Sequence, residues 1–309
     1  MAAAACVLLA GCQSLQVAQG PTQSSTPSTR VDAPAAVANP FAPVSSGTRL
    51  PQGGRTILGH SRVIAYYGAA GSAALGTLGA TSPEDAARRI ITRAGSFRGY
   101  GKAVQPAMEL LATVAQRSPG HDGTYSKPVA AATIGSYLAV AHAHRMLLIL
   151  DLQPGRGAFL AQARALRPFL LDASVGLALD PEWKVGAHAS PGDGLIGSSS
   201  AAGINAVGAW LSELVRSHHL PDKLLVVHQF THTMLPDRAN IEQHRGIETV
   251  LHADGFGTPS LKIKVLHHLA FPSPPFRVGF KLFLKQDSRL MSPREVMALR
   301  PRPDVITFQ

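Results

Sequence analysis

The chain has 309 residues, 45% of them hydrophobic and 16% charged, enough apolar side chains for a large core, which excludes a chain disordered throughout. Twenty-nine Lys and Arg stand against nineteen Asp and Glu, a formal charge of +10, yet aromatics are only 6% and no dense basic run occurs, so composition argues against a nucleic-acid binder. Both cysteines, Cys6 and Cys12, fall at the amino terminus, which removes disulfides, thiol nucleophiles and cysteine-held metals from the rest of the chain.

The first ten residues, MAAAACVLLA, are apolar but far short of the about 20 needed to span a bilayer as a helix, and they read as the core of a signal peptide. Leu9-Ala10-Gly11-Cys12 follows and resembles the bacterial lipobox. That resemblance implies a lipoprotein signal peptide over 1–12, with Cys12 acylated as the first mature residue. The membrane is then a partner through the lipid, and the location is the extracytoplasmic side of the cell membrane. Residues 13–56 are rich in Ser, Thr, Pro, Ala and Gln, the composition of a disordered tether. A single folded domain is expected over 57–309.

Within that domain short apolar runs alternate with helical spacing, the pattern of parallel β/α units. Strands are expected at 62–68, 108–115, 147–153, 175–180, 224–230, 249–254, 278–284 and 304–308, with helices at 83–94, 134–146, 159–170, 199–219 and 292–299. Ser292-Pro293-Arg294-Glu295 has the residues of a capped helix start. Eight strands over about 250 residues is the size of a TIM-type (β/α)8 barrel, here an α/β fold ending on strand eight. An open doubly wound sheet is the competing architecture. Gly68-Ala69-Ala70-Gly71-Ser72 follows the first strand but lacks the spacing of a phosphate-binding loop.

In such a barrel the site is built at the carboxyl ends of the strands, and four of the nineteen acids gather there: Asp151, Asp180, Glu182 and Asp254. Strand parity puts Gly176, Ala178, Asp180 and Glu182 on one face and Val175, Leu177 and Leu179 on the other. Carboxylates two residues apart on a strand have Cα atoms about 6.5 Å apart, a separation at which one can serve as acid and the other as base or nucleophile in cleaving a glycosidic bond. Glu182 is the expected acid and Asp180 its partner. Asp151, Gln153, His228, Gln229, Asp254, Tyr66 and Trp183 are candidate substrate contacts, Trp183 by stacking on a sugar ring. No cofactor is expected. The alternatives are a metal-dependent hydrolase, using His228 with His232 or His252 and the acids Asp151, Asp180 and Asp254, and a barrel that binds a glycan without cleaving it.

Leu177-Ala178-Leu179-Asp180-Pro181-Glu182 resembles the D-x-E on the fourth strand of family-25 glycoside hydrolases, the lysozyme-like muramidases, whose barrel also tends to finish on a strand. The resemblance implies an acid role for Glu182. At the first strand, where that family has an Asp, this chain has Ile64-Ala65-Tyr66-Tyr67-Gly68. Residues 62–309 as a whole are similar to actinobacterial lipoproteins with a glycosidase-like barrel. The partner implied is a polysaccharide or cell-wall glycan.

Overall fold

The computed structural model of the chain describes residues 49–270 and 276–309. Cys12, the signal peptide and the tether as far as residue 48 lie outside the described residues. The strands are β1 (Ser61–Gly68), β2 (Ala103–Ala115), β3 (Ser126–Pro128), β4 (Leu147–Leu152), β5 (Val175–Leu179), β6 (Lys223–Gln229), β7 (Ile247–Ala253), β8 (Arg277–Leu282) and β9 (Val305–Phe308). All but β3 are parallel, and β1 pairs with both β2 and β9, so eight strands close into a barrel and the open sheet is ruled out. The three-residue β3 is an antiparallel addition to the carboxyl end of β2.

The helices are α1 (Pro83–Gly95), α2 (Ala131–Ala143), α3 (Phe159–Ala165), α4 (Arg167–Leu170), α5 (Ala201–Ser217), α6 (Pro259–Ala270) and α7 (Pro293–Ala298). Ser82, Ser200 and Ser292 each accept a backbone N–H in the first turn of the helix they precede, and Glu295 completes a capping box at α7. The stretch 159–170 is two helices rather than one. Pro168 has no N–H for the ladder, and its ring crowds the carbonyl four residues back. No described helix is long and apolar enough to cross a membrane.

Alternation along the strands divides the apolar residues into two layers. Val175, Leu177 and Leu179 of β5 pack outward under the helices with Ile64, Tyr66 and Phe308. Inside, Val63, Ala65, Ala107, Leu147, Ile149, Ala178, Leu224, Val226, Val250 and Val305 fill the lower barrel. Full burial of each of these larger side chains contributes about 1.5–3 kcal/mol. Leu50, Ile57 and Leu58 join the inner layer, so residues 49–56, placed in the tether by composition, belong to the folded body. Arg55 anchors the same segment by donating to the carbonyl of Leu220 at 2.6 Å. One step nearer the carboxyl ends, the interior changes from apolar to charged.

Candidate active site in the barrel interior

The upper interior layer is made by inward positions of successive strands: Tyr67 on β1, Glu109 on β2, Asp151 on β4, His228 on β6, His252 on β7, Lys281 on β8 and Thr307 on β9, each of them buried. Asp180 and Asp254 follow the last residues of β5 and β7, and both are buried. Pro181 cannot continue a strand ladder, so Asp180 leads into a 3-10 turn, Pro181–Trp183, which carries Glu182. The expected strand continuation through Glu182 is thus replaced by a turn. Its carboxyl still lies inside the cluster, with Oε2 buried and given no hydrogen-bond donor.

His228 is the hub. Its Nδ1 lies 3.1 Å from Asp254 Oδ2 and its Nε2 2.8 Å from Glu109 Oε1, with Asp180 Oδ1 at 4.0 Å from Nε2. Burial and Lys281 oppose a proton on this ring, but Glu109, Asp180 and the Asp254 hydrogen bond outweigh them and hold its pKa well above the ordinary value. Both ring nitrogens thus face carboxylate oxygens. His252 stacks against it at 4.8 Å, and burial followed by the charge on His228 keeps His252 neutral; its Nε2 is 3.1 Å from the Thr307 hydroxyl. Gly279, opposite His252 in the β7–β8 register, makes room for that ring: a Cβ there would come within 2.4 Å of His252 Cδ2.

Lys281 Nζ donates to Asp254 Oδ2 at 3.0 Å and sits 3.7 Å from the centroid of the Tyr67 ring. Burial opposes the ammonium charge, but Asp254, Asp180 and Glu109 overcome it and keep Lys281 protonated. Burial equally works to protonate Asp254, and Lys281 with His228 overcomes that, holding it far below the carboxylate range. Asp180 accepts at Oδ2 from the Tyr67 hydroxyl and from Gln153 Nε2, both at 3.1 Å. Gln153 is fixed in turn by accepting the Ala115 N–H at 3.1 Å.

Two carboxyls are pushed the other way. Burial, then Asp180, raises Asp151 well above the carboxylate range, and both its oxygens lack a donor. Burial, then Asp180 and Asp254, does the same to Glu182. Glu182, its pKa raised, thus stands next to an Asp180 fixed by two donors, a pairing in which one carboxyl can give a proton while the other is held in place. The cluster also has ligand-like geometry. One donor atom from each of Glu109, Asp151 and His228 lies within 4.8 Å of the others, as do those of Asp180, His228 and Asp254.

Of the residues expected to form the site, Asp151, Gln153, Asp180, Glu182, His228 and Asp254 come together. Trp183 is part-exposed in the turn beside Glu182, at the rim. Tyr66 does not reach the site. It shares the outward face of β1 with Ile64, and its ring meets Phe308 edge-on at 6.2 Å; the inward neighbour, Tyr67, takes the position. Gln229 is also displaced, because alternation after the inward His228 turns it outward, where it donates to the Thr231 carbonyl and accepts from Arg238. His232 is exposed and packs on His268, away from the acids.

Glu109, Lys281 and Thr307 are additions that strand-end reasoning does not find. Glu109 lies mid-strand because β2 begins at Ala103, five residues before the apolar run at 108, and its one signal is a lone acid within an apolar segment. No protein-family model matches this chain, and no curated protein matches it in sequence, so its functional reading rests on this geometry.

Proposed function

We propose that the chain is a lipid-anchored, extracytoplasmic protein with a glycoside-hydrolase-like site that acts on a cell-wall or extracellular glycan. Glu182 gives its proton to the glycosidic oxygen as the bond to the anomeric carbon breaks. Asp180 faces the oxocarbenium-like carbon as nucleophile, base or electrostatic partner. The observation that carries this reading is the Glu182 carboxyl, its pKa pushed up by burial and by two neighbouring acids, next to an Asp180 oriented by Tyr67 and Gln153. Leu9-Ala10-Gly11-Cys12 supports the anchor.

Product release by mass spectrometry, with purified peptidoglycan and a panel of bacterial glycans, tests the reading against Glu182→Gln and Asp180→Asn. Cleavage that both variants lose is expected. Turnover undiminished in Glu182→Gln would refute the acid assignment.

A second reading, a barrel that binds a glycan without cleaving it, is favoured by one observation: Asp180 is 1% exposed, so a sugar reaches it only if the rim opens. Saturable glycan binding without products would establish that reading instead.

A further inference from the structure

The upper barrel interior holds more carboxyl oxygens than the protein supplies with donors. Glu109 Oε2, both oxygens of Asp151, Asp180 Oδ1 and Asp254 Oδ1 are buried without a hydrogen-bond partner. Each belongs to a side chain at most 6% exposed. Leaving a buried acceptor unmet costs about 1–3 kcal/mol, so five in one layer, beyond those that Lys281 and His228 already meet, make a place where a bound cation would be stabilised.

His228 is arranged as a ligand would be. Its Nδ1 is hydrogen-bonded to Asp254 Oδ2, which Lys281 holds at 3.0 Å. A carboxylate behind the ring fixes the tautomer and turns the other nitrogen toward the metal in histidine sites generally. Here the other nitrogen, Nε2, faces Glu109 Oε1 at 2.8 Å and Asp180 Oδ1 at 4.0 Å, and a bound ion would take the place of the proton shared between Nε2 and Glu109, which leaves to solvent. The donor atoms of Glu109, Asp151 and His228 lie within 4.8 Å of one another. Ligands about 2.1 Å from one ion stand about 3–4.2 Å apart, so small side-chain rotations suffice to close the shell. An imidazole among carboxylates selects a first-row transition metal over Mg2+ or Ca2+, which prefer oxygen alone.

We propose that the barrel interior binds one divalent transition-metal ion through His228 Nε2 and the carboxylates of Glu109 and Asp151, with Asp180 Oδ1 at the adjoining position. Asp254 and Lys281 form the supporting pair behind His228. This inference goes beyond the glycan reading and does not require it, since Glu182 is not a ligand.

The test uses Mn2+ and the full chain stripped with chelator, because Cys6 and Cys12 would compete for a softer ion. Loss of the six-line signal of free Mn2+ in electron paramagnetic resonance counts bound ions, and spin-echo modulation by a nitrogen nucleus reports imidazole ligation in the wild-type chain. One bound equivalent with nitrogen modulation is expected. Affinity should fall about tenfold or more in the near-isosteric Glu109→Gln and Asp151→Asn, each checked for folding by circular dichroism, and should be unchanged in Glu213→Gln, whose side chain is exposed on α5. An undiminished free signal, binding without nitrogen modulation, or equal affinity in both ligand variants would overturn the site. Because the readout is the ion itself, absence of glycan turnover leaves this result untouched, and absence of Mn2+ binding leaves the glycan assay untouched.

Discussion

Replacing Lys281 by Met removes the ammonium that, among the described residues, hydrogen-bonds to the acid cluster. Lys281 Nζ is 3.0 Å from Asp254 Oδ2, and both side chains are buried. At an effective dielectric of about 20, two unit charges at that distance attract by about 5–6 kcal/mol. The variant has one escape, which is to protonate Asp254. Carrying a carboxyl from its ordinary value of 3.8 to neutrality at pH 7 costs about 4 kcal/mol, and that sets the ceiling on the penalty. A loss of about 3–4 kcal/mol is therefore expected, in line with removing one partner of a buried pair. Urea denaturation followed by the fluorescence of Trp183 and Trp210 measures it. The double variant Lys281→Met with Asp254→Asn should lose about 2 kcal/mol less than the sum of the single variants, because no buried charge is then left unpaired. The sign of the pH effect follows. Asp254 has a depressed folded-state pKa, so its stability contribution is present above the carboxylate range and is lost as the pH falls through the folded value. In Lys281→Met Asp254 folds protonated while the unfolded chain ionises it above 3.8, so the penalty shrinks as the pH falls from 7 toward about 4. A single-variant loss under about 1 kcal/mol, or an additive cycle, would refute an ionic network at this position.

Three further outcomes follow from the same interior. Tyr67→Phe removes the hydroxyl that donates to Asp180 Oδ2 at 3.1 Å and should cost about 1–3 kcal/mol in urea unfolding, with turnover falling further if Asp180 faces the reacting carbon. Gly279→Ala drives a methyl into the His252 ring and should cost about 1–3 kcal/mol, and nuclear magnetic resonance should show the His252 imidazole shifted from its place beside Thr307. At the opposite end of the barrel, Lys223 is buried with Nζ donating to the carbonyls of Asp172 and Val175, and burial pulls it from 10.5 to about 7. Its depressed pKa means that its contribution to stability is complete above pH 10.5 and is lost as the pH falls through about 7, so stability should rise between those values by up to about 1.4 kcal/mol per pH unit, a slope that Lys223→Met abolishes.

The strand count was legible because the parallel strands, buried on both faces, are written largely as apolar runs such as Leu224-Leu225-Val226-Val227. Parity also separated the small inward residues of β5 from its Val and Leu. The same reasoning misplaced Tyr66 for a plain cause: two tyrosines stand side by side, and a choice wrong by one residue reverses the face. Helix α6 was hidden because Leu261, Ile263, Val265 and Leu266 alternate with Ser, Lys and His at no single period. Lys281 and Glu109 escaped for a deeper reason. A single charge within an apolar strand reads as outward-facing until the partners that make its burial tolerable are known, and those partners come from five other strands.

Burial does two opposed things at this site. It raises the Glu182 pKa by withholding water from its carboxyl, and it closes Asp180 to solvent. If the rim opened to bulk water, the burial contribution would fade and Glu182 would drift back toward its ordinary 4.5, losing the proton it has to give. If the site cleaves a glycan as proposed, a sugar ring must replace the rim rather than follow water into the gap, and Trp183, part-exposed and next to Glu182 in the chain, is the candidate to cover it. Trp183→Ala should then lower the pH at which turnover falls off on the alkaline side, by letting water reach Glu182 in the bound state. A pH profile unchanged in shape, with only weaker binding, would show that the acid is kept protonated by Asp180 and Asp254 and not by exclusion of water.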